Sequence, residues 1–442
     1  MKMDELARLM KECGVVGAGG AGFPSYAKLS DKADTVLLNC AECEPLFKLH
    51  RQLLSKYAYE ILWALNEVRE AVGAKDAIVA VKEAYTETID SVLEHIDLYK
   101  NMRISKLPEI YPAGDEIITI FESTGRVVEP GKLPISQGVI VFNVETILNT
   151  YYAIKENSPV CYKYLTVAGE VKNPCTVRVP LGITFKDAVK MAGGELSPDC
   201  EFLSGGAMTG NLANKNDVVT KTTNAILVLP KDHPVILKKK ANTKINIYRA
   251  MSACCQCRMC TDLCSRHLLG HPIEPHAFMR AVSKGMASDV AAVMNTAYCS
   301  QCKLCEMYAC PQGLAPGTLI GACKNEIRAK GLKPMEKPKF KGVSEHRKYR
   351  TVPMQRLIAR LGITKYNVEA PLIDVKVKNS DLKIKLTQHI GQPAKAIVKK
   401  GDTVKAFQKL ASCEGLGAEI HSPLDATVKE VNDKMIVLSI KQ

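Results

Sequence analysis

Apolar residues along the chain change their period several times, and each change marks an element. Leu6, Leu9 and Met10 recur at helical spacing between Asp4 and Glu12 and predict a first helix. Thr35 to Leu38 is a short apolar run of strand length. Leu46 to Val72 reads as one long amphipathic helix closed by Gly73, Asp76 to Lys82 as a second strand, and Tyr85 to Leu98 as another helix. Strands alternating with helices predict a parallel α/β sheet. From Leu165 the pattern becomes strand, turn and strand through Asn173-Pro174, then a helix from Phe185 to Ala192 ended by Gly193-Gly194. Pro275 to Asn295 is a helical spacer, and the last 75 or so residues, with Gly401-Asp402 as a turn, are all-β in pattern.

These shifts predict a multidomain α/β protein. Its parts are an α/β domain at residues 1–158, a small separate domain at 159–232, a helical segment at 246–330, a Lys/Pro-rich linker at 331–365 and a β domain at 366–442. Residues 231–245 read as a basic linker, and linkers of this composition suit a mobile attachment.

The helical segment carries the strongest chemical signal. Cys254, Cys257, Cys260 and Cys264 form C-x2-C-x2-C-x3-C, and Cys299, Cys302, Cys305 and Cys310, followed by Pro311, form C-x2-C-x2-C-x4-C-P. Three thiolates at this spacing can wrap one iron–sulfur cube from a single tight loop, and the fourth cysteine of each run serves the other cube in two-cluster ferredoxins. The expected ligand sets are Cys254, Cys257, Cys260 with Cys310, and Cys299, Cys302, Cys305 with Cys264. Structural zinc prefers two separated C-x2-C pairs, and disulfides fit still less well. Cys255 is a spare. His267, His271 and His276 flank the first run and are read as helix caps or surface residues, since cysteine completes both sets.

Composition narrows the setting. Seventeen cysteines behind an acidic helical start, Met1-Lys2-Met3-Asp4-Glu5-Leu6, with no export signal, point to metal ligation in a reducing, cytoplasmic compartment. No run of 18 apolar residues is present, so no transmembrane segment is expected. The formal charge is +14. Two oxidised cubes with their thiolates and a flavin phosphate would lower it by about 6, leaving a basic protein. Lysines gather at Lys238–Lys244 and from Lys324 to Arg350, in a solvated face or a docking site for an acidic protein. Nucleic acid is disfavoured, because no aromatic residues are interleaved with the lysines.

Near the N-terminus, Gly17, Gly19 and Gly22 spell G-x-G-x-x-G within Gly14-Val-Val-Gly-Ala-Gly-Gly-Ala-Gly-Phe-Pro24. The context is not that of a dinucleotide fingerprint, because a helix precedes the loop and Pro24 follows it. It is better read as a glycine loop, Gly20 included, whose bare backbone admits a planar or phosphorylated ligand, with Lys28 placed to meet a phosphate. The strand at Thr35 ends in Asn39-Cys-Ala-Glu-Cys-Glu-Pro45, polar residues at the edge where α/β folds bind ligands.

The glycine loop together with this second motif resembles the flavin- and NADH-binding subunit of respiratory complex I, whose pattern is G-x-G-G-A-G-F-P-T-x-x-K followed by N-x-D-E-x-E-P. It is more similar to the RnfC proteins of Rnf complexes and to cobalamin reductases of the PduS type. Tyr111-Pro-Ala-Gly-Asp-Glu116 and Gly138-Val-Ile-Val-Phe-Asn-Val-Glu-Thr146 extend the match. The resemblance implies a Rossmann-like domain with FMN contacts from Gly17, Gly19, Lys28, Asn39, Glu42 and Asn143, and NADH contacts from Phe23 and Glu44. Ala18 stands where the complex I pattern has arginine, and Ala41 where it has aspartate. Residues 159–232 resemble an SLBB domain, a β-grasp module. The C-terminal β domain resembles a barrel-sandwich hybrid of the lipoyl kind, but Cys413-Glu-Gly-Leu-Gly417 lacks the lysine an acyl carrier needs. Its C-terminal position agrees with the PduS-type order and departs from that of RnfC. The family implies an NADH-dependent flavin and two-[4Fe–4S] oxidoreductase passing single electrons to cobalamin or a cobalamin-loaded protein such as an adenosyltransferase, within reach of bacterial microcompartment shell proteins. An RnfC-like electron-transfer protein and a microcompartment scaffold protein are the alternatives.

Overall fold

Val36, Leu37 and Leu38 are fully buried, and the strand they form is the hub of the first sheet. A computed structural model describes residues 1–334, 339–375 and 381–440. Parts of the Lys/Pro-rich stretch and of the C-terminal segment, 335–338, 376–380 and 441–442, lie outside the described residues. The first domain runs α1 (Met3–Glu12), β1 (Thr35–Asn39), α2 (Leu49–Lys56), α3 (Ala58–Ala71), β2 (Asp76–Lys82), α4 (Thr86–Ile96), β3 (Met102–Leu107), β4 (Ile110–Tyr111), α5 (Glu116–Thr124), β5 (Val139–Asn143) and α6 (Val144–Glu156). Four strands form a parallel sheet in the order β3-β2-β1-β5. Their runs of aliphatic residues are buried on both faces, as parallel sheets require.

The single helix expected from Leu46 to Val72 is two. Tyr57 leaves helical geometry, at φ −124° and ψ 38°, and separates α2 from α3. Its hydroxyl reaches that of Tyr164 at 3.4 Å. Apolar periodicity continues through the break, so the pattern hides it.

The second domain is a six-stranded mixed sheet flanked by one helix. Its elements are β6 (Tyr162–Gly169), β7 (Cys175–Pro180), α7 (Phe185–Met191), β8 (Cys200–Ser204), β9 (Asn211–Ala213) and β10 (Ala225–Pro230). Thr184 caps α7 by accepting from Asp187 N at 3.1 Å.

Two expectations about linkers are corrected. Residues 231–245 form α8 (Pro234–Lys240) and the start of α9 (Thr243–Ala253). Lys238 donates to the Glu306 carbonyl and Lys239 to the carbonyls of Met208 and Gly210, so α8 is anchored, not mobile. The cysteine-bearing segment continues with α10 (Met259–Asp262), α11 (Ser265–Leu268), α12 (Pro275–Lys284), α13 (Val290–Met294) and α14 (Pro316–Ala329). The stretch read as a linker at 331–365 then supplies β11 (Val352–Pro353), paired antiparallel with β4, and α15 (Met354–Leu361). Met354, Leu357, Ile358 and Leu361 enter one core with Leu46 and Tyr111 of the first domain, Leu203 of the second, and Leu304 and Met307 of the cysteine segment.

The C-terminal strands are β12 (Leu372–Ile373), β13 (Leu382–Lys385), β14 (Lys395–Ala396), β15 (Thr403–Val404), β16 (Lys409–Ser412), β17 (Ile420–His421), β18 (Ala426–Val431) and β19 (Met435–Ile440). β12 extends the second domain's sheet, and the others form two small antiparallel sheets, β13-β19-β18-β15 and β14-β16-β17. Leu165, Val177 and Phe185 share a single core with Leu382, Leu410 and Leu438, so the second and last domains pack as one body. No helix among the described residues is long and apolar enough to cross a membrane.

Candidate functional site

The glycine loop lies across the N-terminus of α6. Asn143 caps that helix, its Oδ1 accepting from Glu145 N at 3.0 Å. Ala18 N donates to Thr146 Oγ1 at 2.9 Å, which fastens the loop to the helix's first turn. The loop closes on itself through Gly17 N to the Phe23 carbonyl at 2.8 Å and Gly22 N to the Gly17 carbonyl at 3.1 Å. A Cβ on Gly19 would lie 3.3 Å from Asn143 Nδ2, and Gly20 has φ +113°, which side chains rarely adopt. Bare backbone over a helix N-terminus suits a planar phosphorylated group, so the residues present fit FMN. Gly22 has another reason to be glycine: its Cβ would meet Thr222 Cγ2 of the second domain at 2.8 Å.

The other expected flavin and nicotinamide residues are engaged within the protein. Asn39 Nδ2 donates to the Gly114 carbonyl at 2.9 Å, while its Oδ1 accepts from Ala41 N at 3.0 Å. Glu42 is buried and accepts from His50 N at 2.8 Å, holding the N-terminus of α2, with Arg51 Nε 3.4 Å away. Lys28 is not a free cation. Its Nζ donates to Glu116 Oε1 at 3.1 Å and to the Val141 carbonyl at 2.9 Å. Glu44 turns to the second domain, accepting from Met208 N at 2.9 Å and Thr209 N at 2.6 Å. Phe23 is half-buried at the end of the loop. The structure therefore brings Gly17, Gly19, Gly20 and Asn143 together, and it uses Glu42 and Glu44 as internal anchors.

The cysteines form two groups. Cys254, Cys257, Cys260 and Cys310 line one open cleft of about 370 Å³. Burial, then Cys310, Cys254 and Cys257 in turn, push the Cys260 thiol up to about 12. Burial first, then Cys302 and Cys299 among its neighbours, push Cys264 up to about 12. Cys305 is raised further by burial and by Cys299, Cys302 and Cys264. Thiols crowded in this way ionise only when a metal compensates their charge. Each run's last cysteine thus sits with the other run's first three. Gln256 and Arg258 in one loop, and Gln301 and Lys303 in the other, all have positive φ. Such residues turn successive N–H groups inward, and Gln301 N lies 3.3 Å from Cys299 Sγ. Among the described residues no group of His, Cys, Asp or Glu is drawn tight enough for a single ion. Thiols spread around a cleft suit a cube, which takes one thiolate per iron.

The cysteine segment docks on the strap that opens α5. Tyr111 Oη donates to the Cys302 carbonyl. Arg266, two residues after Cys264, binds both oxygens of Asp115, which also caps α5 by accepting from Ile117 N at 3.1 Å. Of the two cysteine groups, the one containing Cys264 and Cys302 therefore faces the flavin domain. The other opens at the surface, where Cys255 and Cys257 are exposed.

Comparison with known proteins agrees with this division. Residues 10–152 match the Nuo51 FMN-binding domain, 164–211 the SLBB domain, 253–315 the 4Fe-4S dicluster domain and 363–441 the RnfC barrel sandwich hybrid domain. Cobalamin reductase PduS of Salmonella typhimurium is 39% identical over 99% of this chain and 97% of its own length. The chain belongs to the PduS cobalamin reductase family. The RnfC-type component of the Na(+)-translocating ferredoxin:NAD(+) oxidoreductase complex of Acetobacterium woodii is 31% identical over 61% of this chain and 59% of its own. An air-oxidised NAD+-reducing [NiFe]-hydrogenase superposes with a TM-score of 0.51 at 18% identity, covering 82% of this chain and 66% of that one, which speaks to the fold.

Membership of the PduS family makes FMN and two [4Fe–4S] clusters the cofactors, with NADH as the reductant. Some residues that organise the site are not visible in the motifs. Thr146 lies inside a quoted motif, yet its bond to the loop is tertiary. His50 sits with Nε2 3.1 Å from Asn143 Nδ2, its pKa pulled down to about 3 by burial and then by Lys163. Asp115 and Arg266 are distant in sequence, and only the hydrogen bond between them reveals the pairing.

Proposed function

We propose that this chain is an NADH-dependent cobalamin reductase that delivers single electrons to cobalamin or to a cobalamin-loaded protein. The observation that carries it is the docking of the Cys302 and Cys264 loops onto the flavin-domain strap, through Tyr111 and Asp115. Hydride donor and one-electron carriers then meet within one chain. The printed name of the Salmonella relative supports the choice of acceptor.

Residues 1–158 would hold FMN on Gly17, Gly19, Gly20 and Asn143, with Phe23 stacking on the nicotinamide. Cys254, Cys257, Cys260 and Cys310 would hold one cluster, and Cys299, Cys302, Cys305 and Cys264 the other. FMN supplies the conversion of a hydride's electron pair into single electrons, and the clusters carry them one at a time. The chain's own part is to hold the loop open with glycine, to orient the Asn143 amide through its cap bond, and to keep the Cys302 loop against Tyr111. An adenosyltransferase and microcompartment shell proteins are the partners this reading calls for, in a cytoplasmic setting that includes the microcompartment lumen.

Anaerobic titration of the holoprotein with NADH and hydroxocobalamin, followed by visible spectra, is the test. Appearance of reduced cobalamin only when NADH and both clusters are present supports the reading. Rapid flavin reduction with no reduction of cobalamin would leave the RnfC-like reading, which the barrel-sandwich match supports.

A further inference from the structure

Helix α9 runs directly into Cys254 and is poorly covered. Of its 11 residues only Asn246 and Ala250 are buried. Ile245, Tyr248 and Met251, spaced three apart, form one stripe opposite those two, and they are 56%, 59% and 53% exposed. Met259, in the loop around the cysteine cleft, is 43% exposed and continues the apolar surface. A short helix that presents its large apolar side chains to solvent marks a contact site.

Charge identifies the kind of partner. Between Asp232 and Asp262 the chain carries no carboxylate residue and six cations, Lys238, Lys239, Lys240, Lys244, Arg249 and Arg258. Lys238, Lys239 and Lys240 are spent on Glu306, Met208, Gly210 and Glu201, and Arg258 on Asp262. Lys244 and Arg249 flank the apolar stripe, each four residues from one of its members, and are exposed. A second copy of the chain would bring the same positive charge to this face and be repelled.

We propose that the stripe Ile245–Tyr248–Met251, with Lys244, Arg249 and Met259, is the docking surface for an acidic one-electron acceptor protein, seated over the cleft of Cys254, Cys257, Cys260 and Cys310. This rests on the reading that electrons leave from that cleft. The balance is one NADH oxidised to NAD+ and H+ for two acceptor molecules, each gaining one electron. Apolar contact fixes the acceptor, and the cations raise its encounter rate.

The test uses holoprotein, NADH and two probe acceptors of opposite charge: the acidic soluble domain of cytochrome b5 and basic cytochrome c. Cytochrome b5 reduction falls about tenfold as salt rises from low to physiological strength, and cytochrome c reduction does not. Lys244→Glu with Arg249→Glu lowers the low-salt cytochrome b5 rate about tenfold. Tyr248→Ser with Met251→Ser lowers it at every salt concentration. NADH:ferricyanide reduction and iron content stay unchanged in both. Should the variants lose iron, the salt dependence of the unaltered protein decides. A salt-insensitive cytochrome b5 rate, or rates untouched by both double variants, overturns the proposal. Two other outcomes also overturn it: binding to phosphatidylglycerol vesicles that the variants abolish, and a dimer that they dissociate. If cytochrome b5 is reduced as expected while hydroxocobalamin is never reduced, the surface stands and the cobalamin reading falls.

Discussion

One guanidinium nitrogen of Arg266 donates to both carboxylate oxygens of Asp115, at 2.8 and 2.7 Å. The side chains are 13% and 11% exposed, and Arg266 Nε has no partner. This bond ties the residue that caps a flavin-domain helix to the loop that carries Cys264. Removing the arginine leaves a largely buried carboxylate unpaired, at a cost of about 3–5 kcal/mol. Arg266→Leu is expected to lower the melting temperature. It should also slow cluster reduction by NADH in stopped-flow, while flavin bleaching stays fast. Cluster reduction at the unaltered rate would show that the bond has no part in the electron route.

Cys264 sits among Cys299, Cys302 and Cys305, not with its own run. Cys264→Ala is expected to cost about four of about eight irons. The surviving paramagnetic signal should be that of the Cys254 group. Retention of the Cys299 group's signal, with loss of the other, would mean that ligation is not crossed.

Gly19 faces Asn143 with room for a ligand but none for a side chain. Gly19→Val should give protein that keeps its iron and carries no flavin, as read from the visible spectrum after gel filtration. Lys28→Glu places a carboxylate against Glu116 and is expected to weaken flavin retention at least as strongly as Lys28→Met. Stoichiometric flavin in the Gly19 variant would move the cradle elsewhere.

His50 and His421 are buried neutral, each with its pKa pulled down to about 3, by burial before any neighbouring charge. The unfolded chain takes up these protons near pH 6.5, so between about pH 6.5 and 3 it binds more protons than the folded one. Stability therefore rises with pH through that window and drops on acidification, by up to about 1.4 kcal/mol per pH unit per histidine. Melting temperatures at pH 7.5 and 5.5 measure this. His421→Gln should flatten the dependence, and an unchanged slope would assign the acid sensitivity to other groups.

Much of the architecture is written locally. The parallel strands, the helix after Thr184 and the paired cysteine runs all follow from short-range pattern and spacing. What the sequence hides is tertiary. The break at Tyr57 keeps the apolar phase intact, so periodicity cannot see it. The helix Met354–Leu361 carries a readable apolar stripe but lies in a lysine- and proline-rich context that suggests a connector. Glu44 sits in a motif associated with nicotinamide binding, yet in this chain its carboxylate is taken by Met208 and Thr209. Motif position gives the neighbourhood of each residue, and packing decides its partner.

The glycine loop near the N-terminus is completed by the far end of the chain. Lys221 Nζ bridges the Gly14 carbonyl at 2.7 Å and the Glu419 carbonyl at 2.8 Å. Ile390 N donates to the Gly22 carbonyl at 2.8 Å, and Tyr26 Oη exchanges hydrogen bonds with Gly415 and Gly417. A ribosome adding roughly 5–20 residues per second reaches those positions some 20–80 s after it has made the loop. Throughout that interval the nascent flavin domain lacks its outer wall. Cofactor capture is thereby deferred to the close of synthesis, and a chain cut short before Ile390 is born unable to finish its own cradle.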